Sequence, residues 1–554
     1  MGRTTIGSDS STTAAPALSN RRSFLRHAGG AVAAAGLIGL PQLAGKARAQ
    51  AAVENPSGGS GRADRAFRIR QQAALYQKNL PAARQQINGD EELYASRIAC
   101  YSKALPHNAL GEVDPVAYKA LALALKSGNP VDFENIPPSG ALKQGNPQAS
   151  FAFELEGTDS HNFGMASPPA FNSAEMASEM VELYWQALTR DIPFADYKTH
   201  SLTNAASAEL TKLPAFGGPK LKGQITTDQL FRGTTAGDLR GPYVSQFLWK
   251  NVPYGATTLV QRINTAAPHI DFMTSFEIWL DVQNGNEQWR NQIDASPRYI
   301  RSGRDLGEYV HQDFTYQAFL NAALILMGMG APRDPANPYK NSRTQSGFGT
   351  FGAPHILDAV ARVANCGLKA AWYQKWVQHR RLRPEEFGGR VAVHWNGKAS
   401  YPIHASVLKS AALEQVFRKH GSYLLPQAYP EGCPAHPAYP AGHAVIAGAC
   451  TTVLKAFFDE SYVIRNPVTA RADGFALLPY KGTQLTVGGE LDKLASNVAI
   501  GRNLAGVHWR TDSIEGLKLG EAVALSVMMD MKDCFNERFG GFSLTKFDGK
   551  TVTI

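Results

Sequence analysis

The sequence predicts a mostly α-helical protein built from two helical-bundle halves with few short strands. Apolar residues recur every three or four positions in several long segments, which is the period of a helix with one buried face. Hydrophobic residues make up 44% of the 554 residues, enough for one large core or two ordinary domains. Alternating runs are rare, and VAVHW and the terminal TVTI are the best strand candidates. We therefore expect helices packed on helices.

Five segments carry the clearest helical pattern. In chain order they are AFRIRQQAALYQKNL, SAEMASEMVELYWQAL, LGEYVHQDFTYQAFLNAALILMG, PHILDAVARVANCGLKAAWYQKWVQHRRL and HAVIAGACTTVLKAFF. The proline-rich stretch PRDPANPY interrupts this pattern after the third segment. The folded chain is therefore divided here into an N-terminal helical region, 65–330, and a C-terminal helical catalytic region, 331–554.

The first 51 residues resemble a twin-arginine export signal. Arg21 and Arg22 precede an Ala- and Gly-rich apolar stretch that is shorter than the roughly 20 residues needed to span a bilayer. A membrane anchor is the alternative. Residues 52–64 are rich in Gly and Ser and predict a flexible linker. We expect export to the periplasm or the cell exterior, and no membrane span after cleavage of the signal.

Charge and cysteine content exclude several classes of protein. The formal net charge is +9, but the first 51 residues carry +5 of it and no arginine-rich run follows. This argues against binding of nucleic acid. The five cysteines are an odd number without CxxC spacing, which argues against zinc, iron–sulfur clusters and a disulfide framework. Cys366 and Cys450 lie in apolar helical stretches and are predicted to be buried thiols.

Three segments carry residues suited to binding an anion. In the first, KWVQHRRLRPEEFGG, a helix bears Lys375, and Pro384 forces Arg383 out of helical geometry. A lysine on the last helical turns and an arginine just beyond them can converge on one anion. The alternative is a solvated basic face that compensates the helix dipole.

In the second segment, a loop ending in Pro440, Ala441 and Gly442 precedes a long helix that begins at His443 and has almost no charge. Free N–H groups at such a helix start attract anions, and Gly442 allows close approach of the backbone. His443 is suited to general acid/base work near neutral pH. The alternative is a capped buried helix with an incidental histidine.

In the third segment, Gly506 interrupts the helical register between Arg502 and His508, and Asp512 follows one helical turn later. A carboxylate that holds one ring nitrogen of His508 would leave the other nitrogen free as a ligand. The alternative is a surface His/Asp pair. All three segments together supply two arginines, one lysine, two histidines and a helix N-terminus, a combination that the alternatives do not explain jointly.

These segments resemble the signature of the vanadium haloperoxidase and type 2 phosphatidic acid phosphatase superfamily. The seven residues between Lys375 and Arg383, and His436 seven positions before His443, are similar to the algal-type bromoperoxidases. The likeness extends over most of the chain from Ser96 onward. It includes YSKALPHNALGEVD, LFRGTTAGDLRGPYVSQF, IWLDVQNG, YIRSGRDLGEYVHQDFTYQAF and FGTFGAPHILDAVARVANCGLKAAWYQKW.

The resemblance implies one vanadate per subunit, with His508 bonded to vanadium. Lys375, Arg383, Arg502 and the Gly442 backbone would hold the vanadate oxygens, and three cations would offset the charge of the oxyanion. Asp512 would orient the vanadium ligand. The resemblance leaves room for calcium in a structural role only.

It also implies the catalytic roles of three residues. His443 would hydrogen-bond the apical oxygen and manage protons, and Lys375 would polarise bound peroxide for attack by halide. His436 would lie near the entering halide. We therefore expect hydrogen peroxide with bromide or iodide as substrates, hypohalous acid as product and organic compounds as acceptors. Vanadium would act as a Lewis acid, so neither haem nor flavin is required.

Two positions depart from the superfamily signature. Ala441 replaces the usual serine of Pro-Ser-Gly-His, so one hydroxyl donor to vanadate is missing, which costs on the order of 1–3 kcal/mol. Gly501 replaces a serine that commonly precedes Arg502, and this is also similar to the algal-type pattern.

Two other functions stay open. Phosphate and vanadate share charge and tetrahedral shape, so the same pocket could serve an acid phosphatase with His508 as the nucleophile. A non-catalytic exported oligomer that only binds an oxyanion is the second alternative, with Ala441 as the mark of a decayed site. His436 and the long N-terminal half favour the peroxidase. Apolar helical faces in that half, and the assemblies of algal-type relatives, predict a homo-oligomer.

Overall fold

Sixteen α-helices and three short hairpins form the part of the chain that the computed structural model describes, residues 59–286 and 290–554. The predicted export signal, 1–51, lies outside the described residues, as do residues 52–58. The helices are α1 (Gly59–Asn79), α2 (Asp90–Leu93), α3 (Pro115–Ser127), α4 (Pro130–Glu134), α5 (Ala174–Thr189), α6 (Ser201–Lys212), α7 (Phe276–Gln283), α8 (Gly303–Gln312), α9 (Gln317–Gly328), α10 (Ala353–Trp372), α11 (Pro384–Trp395), α12 (Ala405–Leu408), α13 (Ala411–His420), α14 (Gly442–Phe457), α15 (Val487–Leu504) and α16 (Arg510–Asp533). A π-helical segment, Tyr373–His379, follows α10 directly.

The strands form three separate antiparallel hairpins. They are β1 (Val252–Tyr254) with β2 (Thr257–Leu259), β3 (Val468–Ala470) with β4 (Leu477–Pro479), and β5 (Ser543–Thr545) with β6 (Thr551–Thr553). The last strand confirms the prediction from TVTI. The mostly helical fold class with few short strands is likewise confirmed.

Helix α14 is the centre of the C-terminal half. Every residue of this helix except His443 is buried, and it packs against α10, α15 and α16. An amphipathic surface helix keeps one face in solvent, whereas α14 has only one residue that is not buried. Helix α14 is therefore a core helix rather than a surface helix. The polar exception lies on the first turn, where the helix faces the candidate site.

Close packing of α14 on α16 depends on glycines. A Cβ on Gly520 would lie 1.9 Å from the Val445 carbonyl oxygen, and a Cβ on Gly448 would lie 2.2 Å from the Leu517 carbonyl oxygen. Any side chain at these two positions would push the helices apart. The glycines therefore keep the start of α14 beside the start of α16, which brings the second and third anion-binding segments together.

Three local predictions need correction. VAVHW is not a strand but the last part of α11, because a short apolar run does not distinguish a strand from a buried helix. Residues 59–64, predicted as the end of the linker, are the first residues of α1, where Arg62 and Ala63 are good helix formers. The third periodic segment is two helices, since α8 ends at Gln312 and α9 begins at Gln317.

The two predicted halves share one core. The main hydrophobic cluster contains residues from both sides of position 330, and the described residues from 59 onward form one compact unit. Helix α8 of the first half packs on α15 of the second. The division of the chain at 330 stays a prediction. No described helix combines the length and apolar character that a bilayer span requires.

Candidate active site

Lys375 and Arg383 lie on either side of one helix end and have different backbone conformations. Lys375 lies in the π-helical segment, and Arg380 then adopts a left-handed conformation (φ 39°) that ends the helix. Arg383 is extended (φ −82°, ψ 156°) because Pro384 starts α11 directly after it, as predicted. Both side chains are fully buried. A solvated basic face is therefore excluded for these two residues.

The second segment contacts Lys375 through the loop that precedes α14. The Lys375 ammonium donates to the carbonyl oxygens of Pro437 (2.7 Å) and Ala438 (2.9 Å). Helix α14 begins at Gly442, and Ala441 at the N-cap provides no side-chain hydrogen bond to the first turn. The N–H groups of that turn therefore depend on partners other than a capping side chain.

The third segment places His508 between two helices. Helix α15 ends at Leu504, and Gly506 has a positive φ of 90° that only glycine adopts without strain. His508 is 1% exposed, and its Nδ1 lies 2.8 Å from Asp512 Oδ2. The same carboxylate oxygen accepts from the Trp509 N–H at 3.0 Å. The expected His508–Asp512 pair is therefore present, but it is buried rather than on the surface.

Arg383 joins the three segments at one point. Its Nη1 lies 2.9 Å from His508 Nε2 and donates to the Val507 carbonyl oxygen at 2.7 Å. Its Nη2 lies 2.9 Å from His436 Nδ1, and its Nε donates to the His436 carbonyl oxygen. The His436 ring also lies 4.8 Å from the Trp372 ring, measured between centroids. Two imidazoles and one guanidinium thus meet in the buried centre of the site.

Arg502 and His443 are both held by residues of the N-terminal half. Arg502 donates from Nη1 to the Val310 carbonyl oxygen (2.9 Å), and its Nε has no partner within the described part of the chain. His443 Nε2 lies 3.0 Å from Asp313 Oδ1. Asp313 follows α8 at the break that the sequence pattern does not reveal. That break turns its carboxylate toward α14.

The charges at this centre are unbalanced. Lys375, Arg383 and Arg502 are all buried, and no carboxylate in residues 59–286 or 290–554 forms an ion pair with any of them. Burial, together with repulsion from Arg383 and Arg502, holds the pKa of Lys375 well below its usual range. Burial and the same cations also hold the pKa of His508 well below its usual range. Buried like charges are costly without a counter-ion, so the site is built to receive an anion.

Several residues that shape the site are absent from the sequence-based set. Asp313, Arg381 and Glu179 contact site residues from distant segments, and only the basic run around Arg381 gave any signal. Gly501 has a packing explanation. A Cβ there would lie 2.9 Å from Val310 Cγ2 on α8, so a serine would crowd this helix contact.

All five cysteines lie in described residues and are free thiols. Cys366 and Cys450 are buried, as predicted. Burial raises the pKa of the Cys366 thiol to about 12. Burial also raises the pKa of the Cys450 thiol, so neither thiol is ionised near neutral pH.

Sequence comparison relates this chain to one family of enzymes. Residues 363–537 match the family model described as the VCPO second helical-bundle domain. The chain is 34% identical to the vanadium-dependent bromoperoxidase of Corallina pilulifera, with 89% of this chain and 98% of that protein covered. It is also 34% identical to the vanadium-dependent bromoperoxidase of Ascophyllum nodosum, with 91% and 94% covered.

A solved structure shares the fold along nearly the whole chain. The homohexameric structure of the second vanadate-dependent bromoperoxidase from Ascophyllum nodosum superposes with a TM-score of 0.84 at 29% identity. The match covers 93% of this chain and 94% of that one.

Proposed function

The chain belongs to the vanadium-dependent bromoperoxidase family, and from that premise we propose that its buried cation cluster holds vanadate and that the enzyme oxidises bromide or iodide with hydrogen peroxide. The observation that carries this assignment to the site is the charge imbalance. Three buried cations converge, and no carboxylate of the described residues forms an ion pair with them, so an oxyanion at this point would supply the missing negative charge.

The donor set fits vanadate. Lys375, Arg383 and Arg502 would hold its oxygens, with the Gly442 N–H at the start of α14 as a further donor. His508 would bond vanadium through Nε2, because its Nδ1 is engaged by Asp512; Arg383 Nη1, which lies 2.9 Å from Nε2, would then turn from the imidazole to a vanadate oxygen. When bound, vanadate supplies a Lewis-acid centre for the cleavage of the peroxide bond.

His443 would handle protons. Its Nε2 lies next to Asp313, so the N–H is held there and the Nδ1 lone pair remains available. Its side chain is 27% exposed, unlike that of His508, and can therefore exchange protons with solvent. We assign it the transfer of a proton to or from the bound reactants.

Lys375 and His436 would serve the halide step. Lys375, when protonated, would place a positive charge next to the peroxide substrate, which would draw electron density from the peroxide and favour attack by halide. His436 and Trp372 form a contact next to Arg383, where an entering halide would find an imidazole and an aromatic ring. We propose oxidation of bromide and iodide with weak or no oxidation of chloride, and organic compounds as the final acceptors.

Assembly and export are part of the proposal. Large apolar side chains are exposed in the N-terminal half, including Val116, Val131, Phe153 and Leu155. Such side chains suit subunit packing, and the related Ascophyllum nodosum structure is a homohexamer. We therefore propose a homo-oligomer, and export through the twin-arginine signal to the periplasm or the cell exterior.

We propose no role for calcium beyond the structural one that the resemblance allows. Within the residues that the structure describes, no group of three or more His, Cys, Asp or Glu side chains is arranged to hold a metal ion. Calcium would have to rely largely on backbone carbonyl oxygens and water.

The test is a vanadate titration of the metal-free protein followed by halide oxidation. We expect halogenation of monochlorodimedone with peroxide and bromide or iodide, dependent on vanadate and lost after dialysis against phosphate. Hydrolysis of a phosphate ester without halide oxidation would reverse the assignment in favour of the phosphatase.

His443→Ala distinguishes an enzyme from a decayed oxyanion site. Loss of turnover with retained vanadate binding supports the proton-transfer role of His443. A parent protein that binds vanadate and shows no turnover with any halide would instead support the decayed site.

A further inference from the structure

We propose that Arg381 and Glu179 are positioning residues that immobilise Asp512 and thereby fix the orientation of the His508 imidazole. The proposal rests on the proposed function, because the purpose of that orientation is to present His508 Nε2 to vanadate. Neither residue touches the anion site itself.

Arg381 occupies the outer side of the Asp512 carboxylate. Its Nη1 donates to Asp512 Oδ1 at 2.7 Å, while Asp512 Oδ2 receives His508 Nδ1 and the Trp509 N–H. Both carboxylate oxygens are therefore engaged on opposite sides, and the carboxylate cannot rotate without breaking a charge-assisted hydrogen bond. The Arg381 guanidinium also lies over the Trp509 ring, 4.9 Å from its centroid.

Glu179 fixes Arg381 from the N-terminal half. Its Oε2 accepts from Arg381 Nη2 at 2.9 Å, and its Oε1 accepts from the Thr511 N–H at 2.7 Å. The Thr511 hydroxyl lies between the two charged groups, accepting from Arg381 Nη1 at 2.7 Å. Helix α5 thus contacts the start of α16 one residue before Asp512.

The backbone of these residues extends the same connection. The Arg381 carbonyl oxygen accepts from the Ala438 N–H at 3.0 Å, and the Asp512 carbonyl oxygen accepts from the Ala441 N–H at 3.0 Å. The segment with Lys375 and Arg383, the loop before α14 and the start of α16 are therefore joined around one ion-pair cluster. A shift of Arg381 would move all three segments relative to each other.

Burial argues that this cluster serves orientation rather than stability alone. Glu179, Arg381 and Asp512 are 5%, 2% and 0% exposed. Taking three charges out of water costs about as much as their attraction returns, so buried ion pairs contribute little net stability over apolar residues. Groups behind a metal-bound histidine, in contrast, tune its orientation, and their loss typically reduces metal affinity about 10- to 100-fold.

The experiment compares Arg381→Lys and Glu179→Gln with a matched control, Glu182→Gln. Glu182 is buried on the same helix one turn further along, and it pairs with Arg510 without contacting Asp512. Each metal-free protein is titrated with vanadate and, separately, with inorganic phosphate. Equilibrium binding of inorganic phosphate needs the cations but, unlike that of vanadate, does not depend on a coordinate bond from His508, so the ratio of the two affinities reports on His508.

We expect Glu179→Gln to weaken vanadate binding about tenfold and Arg381→Lys between about 10- and 100-fold. Phosphate affinity should stay within about threefold of the parent, and Glu182→Gln should leave both affinities unchanged. Vanadate affinity equal to the parent in both variants would overturn the proposal. An equal loss for vanadate and phosphate, or an equal loss in Glu182→Gln, would overturn it as well. Failure of the parent to bind vanadate is a separate result, which contradicts the proposed function instead.

Discussion

Arg381 and Arg383 are two residues apart, are both buried, and have opposite electrostatic surroundings. Arg381 lies between the carboxylates of Asp512 and Glu179. Within the described residues the Arg383 guanidinium has no carboxylate partner, and it contacts His508, His436 and backbone carbonyl oxygens. The sequence places both in one basic run, so their different environments come from what the rest of the chain brings to them.

The comparison separates two uses of a buried cation. A cation with carboxylate partners is neutralised within the protein and holds other groups in place. A cation without carboxylate partners can bind an anionic ligand, but its charge is unfavourable while the ligand is absent. The pKa of Lys375 shows this, because burial and the nearby Arg383 lower it. The same distinction gives three measurable consequences.

Removal of the paired arginine should have the largest effect on stability. Arg381→Met leaves the buried carboxylates of Asp512 and Glu179 without their shared cation, and we expect the free energy of unfolding of the vanadate-free protein to fall by about 3–5 kcal/mol. Arg383→Met loses hydrogen bonds to carbonyl oxygens but relieves repulsion with Lys375, so its loss should be less than about 2 kcal/mol. Urea unfolding of both variants measures the difference. Equal losses would show that the carboxylates do not distinguish the two arginines.

Protonated His311 is another cation with carboxylate partners, and Tyr429 lies between it and Arg502. We expect its protonation to make the free energy of unfolding depend on pH. Burial opposes protonation of His311, but hydrogen bonds to Glu308 and Glu431 outweigh it and raise the pKa of His311 to about 9. The His311 ring stacks on Tyr429 at 3.8 Å between centroids, and Arg502 lies 5.3 Å from the centre of the Tyr429 ring.

Because the folded-state pKa of His311 is raised, its contribution to stability is fully present below about pH 6.5. It is lost as the pH rises through about 9. We expect the stability difference between the parent and His311→Gln to shrink by about 2–3 kcal/mol between pH 6 and pH 10. Unfolding measured across this pH range tests it. A difference that does not change with pH would mean that His311 is not a charged partner in this cluster.

The smallest expected effect is on vanadate affinity at the start of α14, where Ala441 lacks the hydroxyl donor of the usual serine. Ala441→Ser adds a hydroxyl at the N-cap of α14, next to the first-turn N–H groups and the cations. One further hydrogen bond is worth about 1 kcal/mol, so vanadate affinity should rise about fivefold. Equilibrium binding of vanadate to the metal-free proteins decides the question. Unchanged or weaker affinity would indicate that the hydroxyl turns away from the site and caps the helix only.

Much of the fold and most of the candidate site could be predicted from local pattern. The 3.6-residue period identified α1, α5, α10 and α14, although it did not single out α15 or α16. Pro384, Gly442 and Gly506 marked the three places where a helix starts or ends next to a charged group. These features depend on the conformational preferences of a few neighbouring residues. Nearby sequence is therefore sufficient to reveal them.

Prediction from the local sequence pattern failed where two secondary structures produce the same pattern. VAVHW reads equally as a strand or as a buried helix, and only its continuity with Pro384 at the start of α11 decides the matter. The helical period also runs through residues 313–316, yet α8 ends there and Asp313 turns toward His443.

By itself the sequence determined which residue types and helix ends are available to bind an oxyanion, because those follow from short stretches of chain. Tertiary structure alone decided which charges are neutralised. Glu179 reaches Arg381 across 202 positions, and Asp313 reaches His443 across 130. Such contacts depend on how buried helices pack, through glycines such as Gly520, and no local preference encodes them.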